Sequence, residues 1–259
     1  MAAGEKEVQL TVQQQRILKL LFKFRFVSAL LLGQVMGISR VSVYGVLEKL
    51  VVKKLVTKIY NNEFRIDRKP AYYYLNKTGV TAVRKLMDAR ESAVHTLYKN
   101  DEATEEFIEH CLKLAYLYTA VLQHLPENTD IFTRTEINRF KQFPKNRPDL
   151  YIRTPDGNEA IIVLADEKPL YITRKMLEET ITHSEDEGWD GDYPRICFVF
   201  KDGGAKNSFL YTTNKKLESM GMDEGEIYIL ATSLTAIKEA GRRCWASSFK
   251  PKEFMHLFE

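Results

Sequence analysis

Hydrophobic positions fall into two rhythms along this chain, one of helical period and one of strand period. From Leu10 onward, Ile17, Leu20, Leu21 and Phe24 recur at steps of three and four, which predicts an amphipathic helix ending near Lys23–Arg25. Ser28 suits an N-cap for a short helix over 29–36, and Gly37 suits its stop. Ser39 suits the next N-cap, ahead of a helix over 40–50. There Val43, Val46, Leu47 and Leu50 form the buried stripe, and Arg40, Ser42, Tyr44, Gly45, Glu48 and Lys49 lie nearer solvent. Two short helices joined by a turn with glycine match a helix-turn-helix. Residues 55–60 and 71–75 read as two strands flanking a polar, charged loop that carries Arg65, Arg68 and Lys69, and Thr78-Gly79 opens a further helix through Met87. Three helices followed by a hairpin predict a winged helix-turn-helix over residues 1–92, with Arg40, Ser42, Tyr44 and Lys49 toward a major groove. Arg40 and Ser42 are the candidate base readers, and Arg65, Arg68 and Lys69 are candidates for phosphate backbone.

Beyond that point the pattern changes. Phe107, Cys111, Leu114, Tyr118, Val121 and Leu125 form a strict apolar seam on a long helix over 101–125, the mark of a core contact or a dimer interface. Residues 131–135 suit a strand. Further on, 170–183 reads as a helix, 196–200 as a buried strand, 209–220 as a helix, 227–230 as a strand and 234–240 as a short helix. Trp189, Trp245 and the closing segment 249–258 read as packing.

Composition adds a division that the hydrophobic pattern alone does not reveal. Residues 1–100 hold 18 Lys and Arg against 7 Asp and Glu, a balance of +11, whereas the remainder hold 20 against 28, a balance of −8. That asymmetry suggests a basic nucleic-acid-binding part joined to something different. No apolar run approaches the roughly 20 residues needed to span a bilayer, and the first seven residues lack the apolar core of a signal peptide. Three cysteines without metal spacing, Cys111, Cys197 and Cys244, suit a reducing compartment, so a cytoplasmic protein without a membrane partner is expected. The five histidines, His95, His110, His124, His183 and His256, also fall at no metal-ligand spacing.

The candidate chemistry lies in 147–168. Two strand-forming runs flank Pro155-Asp156-Gly157, whose residues respectively preset φ, bond their own backbone and accept positive φ, so a β-hairpin is predicted. Asp149 begins its first strand and Asp166-Glu167-Lys168 ends its second, so these charges should meet at the open end. Carboxylates beside a lysine suit a hard divalent cation and charge developing on a phosphate. Two registers are open. A four-residue loop from Pro155 to Asn158 sets Asp149 opposite Leu164 and puts Asp149, Asp166 and Lys168 on one face. A three-residue loop with a bulge at Gly157 sets Asp149 opposite Val163, so that it shares its face with Glu167 while Lys168 points away. A catalytic reading depends on the first.

This layout resembles the PD-(D/E)XK nuclease superfamily, with Pro148-Asp149 as the first motif element and Asp166-Glu167-Lys168 as the second. The resemblance implies Asp149 and Asp166 as magnesium ligands, Lys168 as the catalytic lysine, and Glu105, Glu106 or Glu109 as a further acid from the first helix. As residues read without the family, those three glutamates are partners of the helix dipole. The order helix, three strands, helix, strand, helix, strand also matches that superfamily. The expected architecture is thus an α+β winged helix-turn-helix followed, over 93–259, by an α/β restriction-endonuclease-like domain with a central mixed sheet.

A winged helix, a linker containing His95-Thr96-Leu97, a long helix and an acidic α/β domain together resemble the replication-relaxation family of plasmid and mobile-element proteins. That resemblance implies DNA binding linked to replication or mobilisation, often with a nuclease-like fold that lacks a full active site. Such members tend to carry an acid-x-acid pattern where this chain has Asp166-Glu167-Lys168, a departure that favours catalysis. Three readings follow. In the first, the protein binds double-stranded DNA and its inert rear domain serves dimerisation or docking of a replication or mobilisation protein; the acidic rear balance, which repels phosphate, favours this one. In the second it is a Mg2+-dependent endonuclease targeted by the winged helix. In the third it is a transcriptional regulator whose rear domain senses a ligand, for which a sizeable pocket would be the discriminating observation.

Overall fold

The computed structural model describes residues 9–88, 91–166, 168–185, 189, 191–223, 226–240 and 243–258. The chain divides into two compact units, residues 1–119 and 120–259.

In the first unit α1 (Val12–Phe24) opens with a capping box in which Thr11 and Gln14 satisfy each other's backbone N–H. A two-residue strand β1 (Val27–Ser28) leads into α2 (Ala29–Met36), closed by Gly37 at φ +68°. Helix α3 (Arg40–Val52) follows, capped by Ser39 and bent 116° from α2, within the range of a helix-turn-helix. Then come β2 (Val56–Ile59), α4 (Asn62–Ile66), β3 (Tyr72–Leu75) and α5 (Lys77–Met87). Strand β3 lies between β1 and β2, antiparallel to both. Three helices, with a short strand between the first two, followed by a hairpin form a winged helix. Its core is made by Ile17, Leu18 and Leu21 of α1, Leu32 of α2, Val43, Leu47 and Leu50 of α3, and Val80 and Val83 of α5. Gly79 is fixed by crowding: a Cβ there would lie 1.9 Å from the Leu55 carbonyl oxygen.

Short α6 (Glu91–Val94) and a 3-10 stretch, His95–Glu102, precede α7 (Glu105–Leu122). The long helix starts later than the pattern predicts because the Thr104 hydroxyl accepts the Phe107 N–H, breaking the chain at an N-cap. Arg25, at φ +67°, fastens the 3-10 stretch by donating to Asn100 Oδ1 (2.7 and 2.9 Å) and the Thr96 carbonyl (2.9 Å), with its guanidinium over the Phe107 ring. Burial pulls the Arg25 guanidinium below its ordinary pKa. The seam residues Cys111, Leu114 and Tyr118 are buried, Cys111 in a cluster with Phe26 and Tyr74 and Tyr118 against the Phe24 ring.

The second unit holds β4 (Asp130–Thr133), α8 (Arg134–Ile137), β5 (Leu150–Arg153), β6 (Glu159–Leu164), α9 (Leu170–Glu185), β7 (Arg195–Phe200), α10 (Gly203–Met220), β8 (Ile229–Ser233), α11 (Leu234–Ala240), β9 (Trp245–Ser247) and β10 (Phe254–Met255). Its seven strands form one mixed sheet in the order β10-β9-β8-β7-β6-β5-β4, in which β6, β7 and β8 run parallel and every other pair antiparallel. The parallel neighbours are joined through α9 and α10. Leu177 and Ile181 of α9 and Phe209, Leu210 and Leu217 of α10 share one core with Ile161, Val163, Phe198, Phe200 and Ile229 of the sheet. The intervening residues Ile162, Leu164, Cys197, Val199 and Leu230 are buried as well, as parallel strands require.

Three sequence expectations are corrected here. The polar loop of the wing contains helix α4, because Asn61 caps it and Phe64 packs its ring between Tyr60 and Tyr72. Residues 134–135 belong to α8, since Thr133 and Glu136 form a capping box. Helix α10 begins six residues before the predicted start, where the Asp202 carboxylate accepts the Ala205 N–H and overrides two glycines. In addition, Trp245 and part of the closing segment pack as predicted but also form strand β9 and the edge strand β10.

Candidate nucleic-acid interface and the charged centre of the hairpin

Helix α3 separates its residues sharply. Val43, Leu47 and Leu50 are fully buried, while Arg40, Val41, Ser42, Tyr44, Gly45 and Lys49 are exposed. Arg40 and Lys49 have no carboxylate partner among the described residues, so both cations are available to an anion. The Ser42 hydroxyl lies 2.8 Å from that of Ser39, whose oxygen also accepts the Ser42 N–H. Ser42 is thereby drawn into the cap and is less free than Arg40 to read a base.

Tyr44 is held from one side. Lys58 Nζ donates to the Tyr44 hydroxyl (3.2 Å) and to Glu48 Oε1 (2.9 Å), and the Tyr73 hydroxyl donates to the same Glu48 oxygen (3.3 Å). The bond to Glu48 raises the Lys58 pKa above its ordinary value, and burial pushes the Tyr73 phenol up to about 12. This cluster ties α3 to the wing strands and fixes the height of the Tyr44 ring. The sequence reading missed it. The available signal was the facing of Lys58 and Tyr73 across β2 and β3, which becomes legible only once the register is known.

Arg65, Arg68 and Lys69 all lie exposed on the wing. Lys69 pairs with Asp67 at 3.3 Å, and Arg68 occupies a left-handed backbone position at φ +53°. A surface pair of this kind exchanges readily with solvent and with phosphate.

In the second unit the hairpin adopts the three-residue loop. Arg153 faces Glu159, the Thr154 N–H donates to the Asn158 carbonyl (2.9 Å), and the Gly157 N–H donates to the Thr154 carbonyl (3.1 Å) with Gly157 at φ +83°. A tight turn closed by a left-handed glycine favours this register. Asp149 accordingly lies opposite Val163, its N–H donating to the Ile162 carbonyl. The expected consequence, a lysine pointing away, does not follow, because β6 stops at Leu164 and the chain turns back. Lys168 Nζ reaches the Leu164 carbonyl and lies 3.9 Å from Asp149 Oδ2. Asp166 sits in that turn, half-buried, and Glu167 lies outside the described residues.

Asp149 is 2% exposed. Its Oδ2 accepts the Leu164 N–H at 2.8 Å and faces Lys168, and its Oδ1 lies 4.0 Å from Arg134 Nη1. One oxygen is thus bonded to backbone, and both face cations. A magnesium ion needs several open oxygen donors in near-octahedral geometry, and among the described residues no group of three His, Cys, Asp or Glu side chains is arranged to hold a metal. Among the described residues, which leave out Glu167, Asp149 thus offers a magnesium ion no oxygen clear of a cation. Arg134 had no signal in the motif; it reaches Asp149 because β4 pairs with β5 so that Thr133 faces Leu150. The glutamates of α7 lie exposed at its start, where hydrogen bonds to its own backbone N–H and to Thr104 hold Glu106 below the usual carboxylate range, the behaviour of a dipole partner.

Among the described residues no single helix is long and apolar enough to cross a membrane. Residues 18–173 match the family described as replication-relaxation. No curated protein matches the chain. Among solved structures, the chain is similar to a mutant of ZitR from Lactococcus lactis (20% identity, TM-score 0.29, covering 48% of this chain and 80% of that one). It is also similar to a mutant of MarR from E. coli complexed with operator DNA (18%, 0.29, 44% and 77%) and to the adhesin competence repressor AdcR from Streptococcus pyogenes (16%, 0.28, 44% and 84%).

Proposed function

The chain belongs to the replication-relaxation family, and from that premise we propose that it is a sequence-specific double-stranded DNA-binding protein acting in the replication or mobilisation of a plasmid or other mobile element. The observation that carries this reading is the outward face of α3, where Arg40 and Lys49 stand exposed without carboxylate partners on a winged-helix frame. Arg65, Arg68 and Lys69 on the wing supply further phosphate contacts. For the rear domain, the order of helices and strands around a mixed sheet within residues 120–259 supports a nuclease-like fold. The enclosure of Asp149 by Leu164, Lys168 and Arg134 supports a role in assembly or partner docking over hydrolysis. Three free, buried thiols fit a reducing, cytoplasmic setting.

The test is fluorescence anisotropy of a labelled duplex titrated with the full chain at several salt concentrations. Affinity is expected to fall steeply as salt rises, and Arg40→Ala is expected to weaken the preferred duplex by roughly 2 kcal/mol, about thirtyfold. Salt-independent binding, or none to any duplex, would overturn the reading.

A second reading, ligand-sensing regulation, is favoured by one observation. Residues 120–259 enclose an open cavity of about 540 Å3 lined by Val121, Leu125, Thr154, Asn158, Trp245 and Leu257 among others, within the size range of small-molecule sites. Titrating the aromatic dye anilinonaphthalene sulfonate while following tryptophan emission and duplex affinity tests it. Dye binding that leaves the affinity unchanged would remove it.

A further inference from the structure

The front face of α3 carries an exposed apolar residue. Val41 is 80% exposed. It lies two residues before Val43, and so nearly opposite the buried stripe of a helix with 3.6 residues per turn. Three residues on, Tyr44 shares its face at 44% exposure, and Lys58 holds the Tyr44 hydroxyl at 3.2 Å so that the ring is fixed beside Val41. Arg40, Val41 and Tyr44 together line an open concavity of about 350 Å3.

Gly45, one turn after Val41, is the second independent sign. A Cβ at Gly45 would meet nothing within 4 Å, so no contact inside the protein demands glycine. A glycine inside an exposed helix nonetheless costs about 1 kcal/mol relative to alanine. The compensation that glycine offers elsewhere is close approach of backbone to a ligand. The face from Val41 to Gly45 is therefore shallow and apolar, with a cation at each end, Arg40 and Lys49, that has no carboxylate partner among the described residues. A duplex offers phosphates to those cations. Between them, in its major groove, the apolar group on a base edge is the 5-methyl of thymine. The Ser42 hydroxyl, engaged by Ser39, does not compete for that place.

We propose that Val41 reads a thymine 5-methyl group, with Tyr44 as the side wall and Gly45 as the clearance that seats α3 deep enough to reach it. This rests on the DNA-binding reading above and adds a base preference to it: an A·T pair facing the first turn of α3.

The experiment starts from a pool of duplexes with a random core, from which the full chain selects its preferred sequence. Synthetic copies of that duplex then replace one thymine at a time with deoxyuridine, which differs only by the missing methyl. Replacement at one position, or at two adjacent ones, is expected to weaken wild-type binding roughly fourfold, the worth of one buried methyl-sized group. Val41→Ser is expected to lose a similar factor on the thymine duplex and to be blind to that replacement, which separates a methyl contact from general weakening. Gly45→Leu is expected to lower affinity for every duplex at least tenfold with an unchanged circular dichroism spectrum. If wild type binds the selected duplex and every deoxyuridine replacement is silent, or if Val41→Ser is as sensitive as wild type, the inference fails and the DNA-binding reading stands. If no duplex is selected, the reading itself fails and the inference with it.

Discussion

Helix α3 of the first unit and the β5–β6 hairpin of the second both concentrate charge at the start of a regular element, yet they use it in opposite ways. On α3, Arg40 stands exposed and has no carboxylate partner among the described residues, and the single acid of the helix, Glu48, is occupied by Lys58 and Tyr73. On the hairpin, Asp149 is sunk in the sheet and taken up by one backbone N–H and two cations. A short motif records which residue types lie close in sequence. It does not record whether their charge is still available to a ligand, and availability is what separates a binding surface from an internal brace.

The sharpest way to break this comparison is Asp149→Ala. Truncation leaves the buried Leu164 N–H without its acceptor and removes the counter-charge of Lys168 and Arg134. The two cations are partly exposed and regain solvent, so most of the cost falls on the amide and the cavity, about 3 kcal/mol in all. Asp149→Asn keeps an acceptor and is expected to lose less than half as much. Denaturant unfolding measures both, and supercoiled DNA incubated with magnesium is expected to stay intact with wild type and variants alike. Nicking by wild type that Asp149→Asn abolishes would return the carboxylate to catalysis. The counterpart on the other side is Arg40→Ala, whose loss of duplex affinity should come with an unfolding midpoint within error of wild type, since surface changes of this kind alter stability by less than about 0.5 kcal/mol. A destabilised Arg40→Ala would mean that α3 also uses its charge internally.

Much of this was legible in the sequence because local signals and burial agree. Ser28 and Gly37 bracket α2 as predicted, Ser39 caps α3, and the apolar stripe of α3 is the buried one, except that Val46 is only half-buried. The misses have a common physical cause. Phe64 in the wing, Asp202 ahead of two glycines and Thr133 ahead of Glu136 each impose helix through one side-chain bond or one ring contact, too local for a periodicity to register. At the hairpin both turn geometries satisfy the same residues, and the choice is made by Thr154, whose N–H and hydroxyl both bond Asn158. Counting faces beyond Leu164 then fails for a simpler reason: alternation holds only while the strand lasts, and Lys168 comes back to Asp149 from a turn.

The smallest effect sharpens the comparison from within the first unit, where Lys58, Glu48 and Tyr73 form an inward-turned charge cluster. Burial, aided by Glu48, raises the Tyr73 phenol to about 12 from an ordinary 10, and the bond to Glu48 raises the Lys58 ammonium as well. Both groups hold their protons more tightly folded than unfolded, so their contribution is complete below pH 10 and declines as pH rises toward 12. Tyr151 and Tyr193 of the second unit are also pushed up, chiefly by burial, so the whole chain is expected to lose stability over that range. Tyr73→Phe isolates the share of the first unit, because it removes the titrating hydroxyl while keeping the ring. Circular dichroism melts across the range should show a shallower alkaline decline for Tyr73→Phe than for wild type, and equal slopes would show that the cluster is as solvated as the outer face of α3. In that case the inward half of the comparison would belong to the hairpin alone.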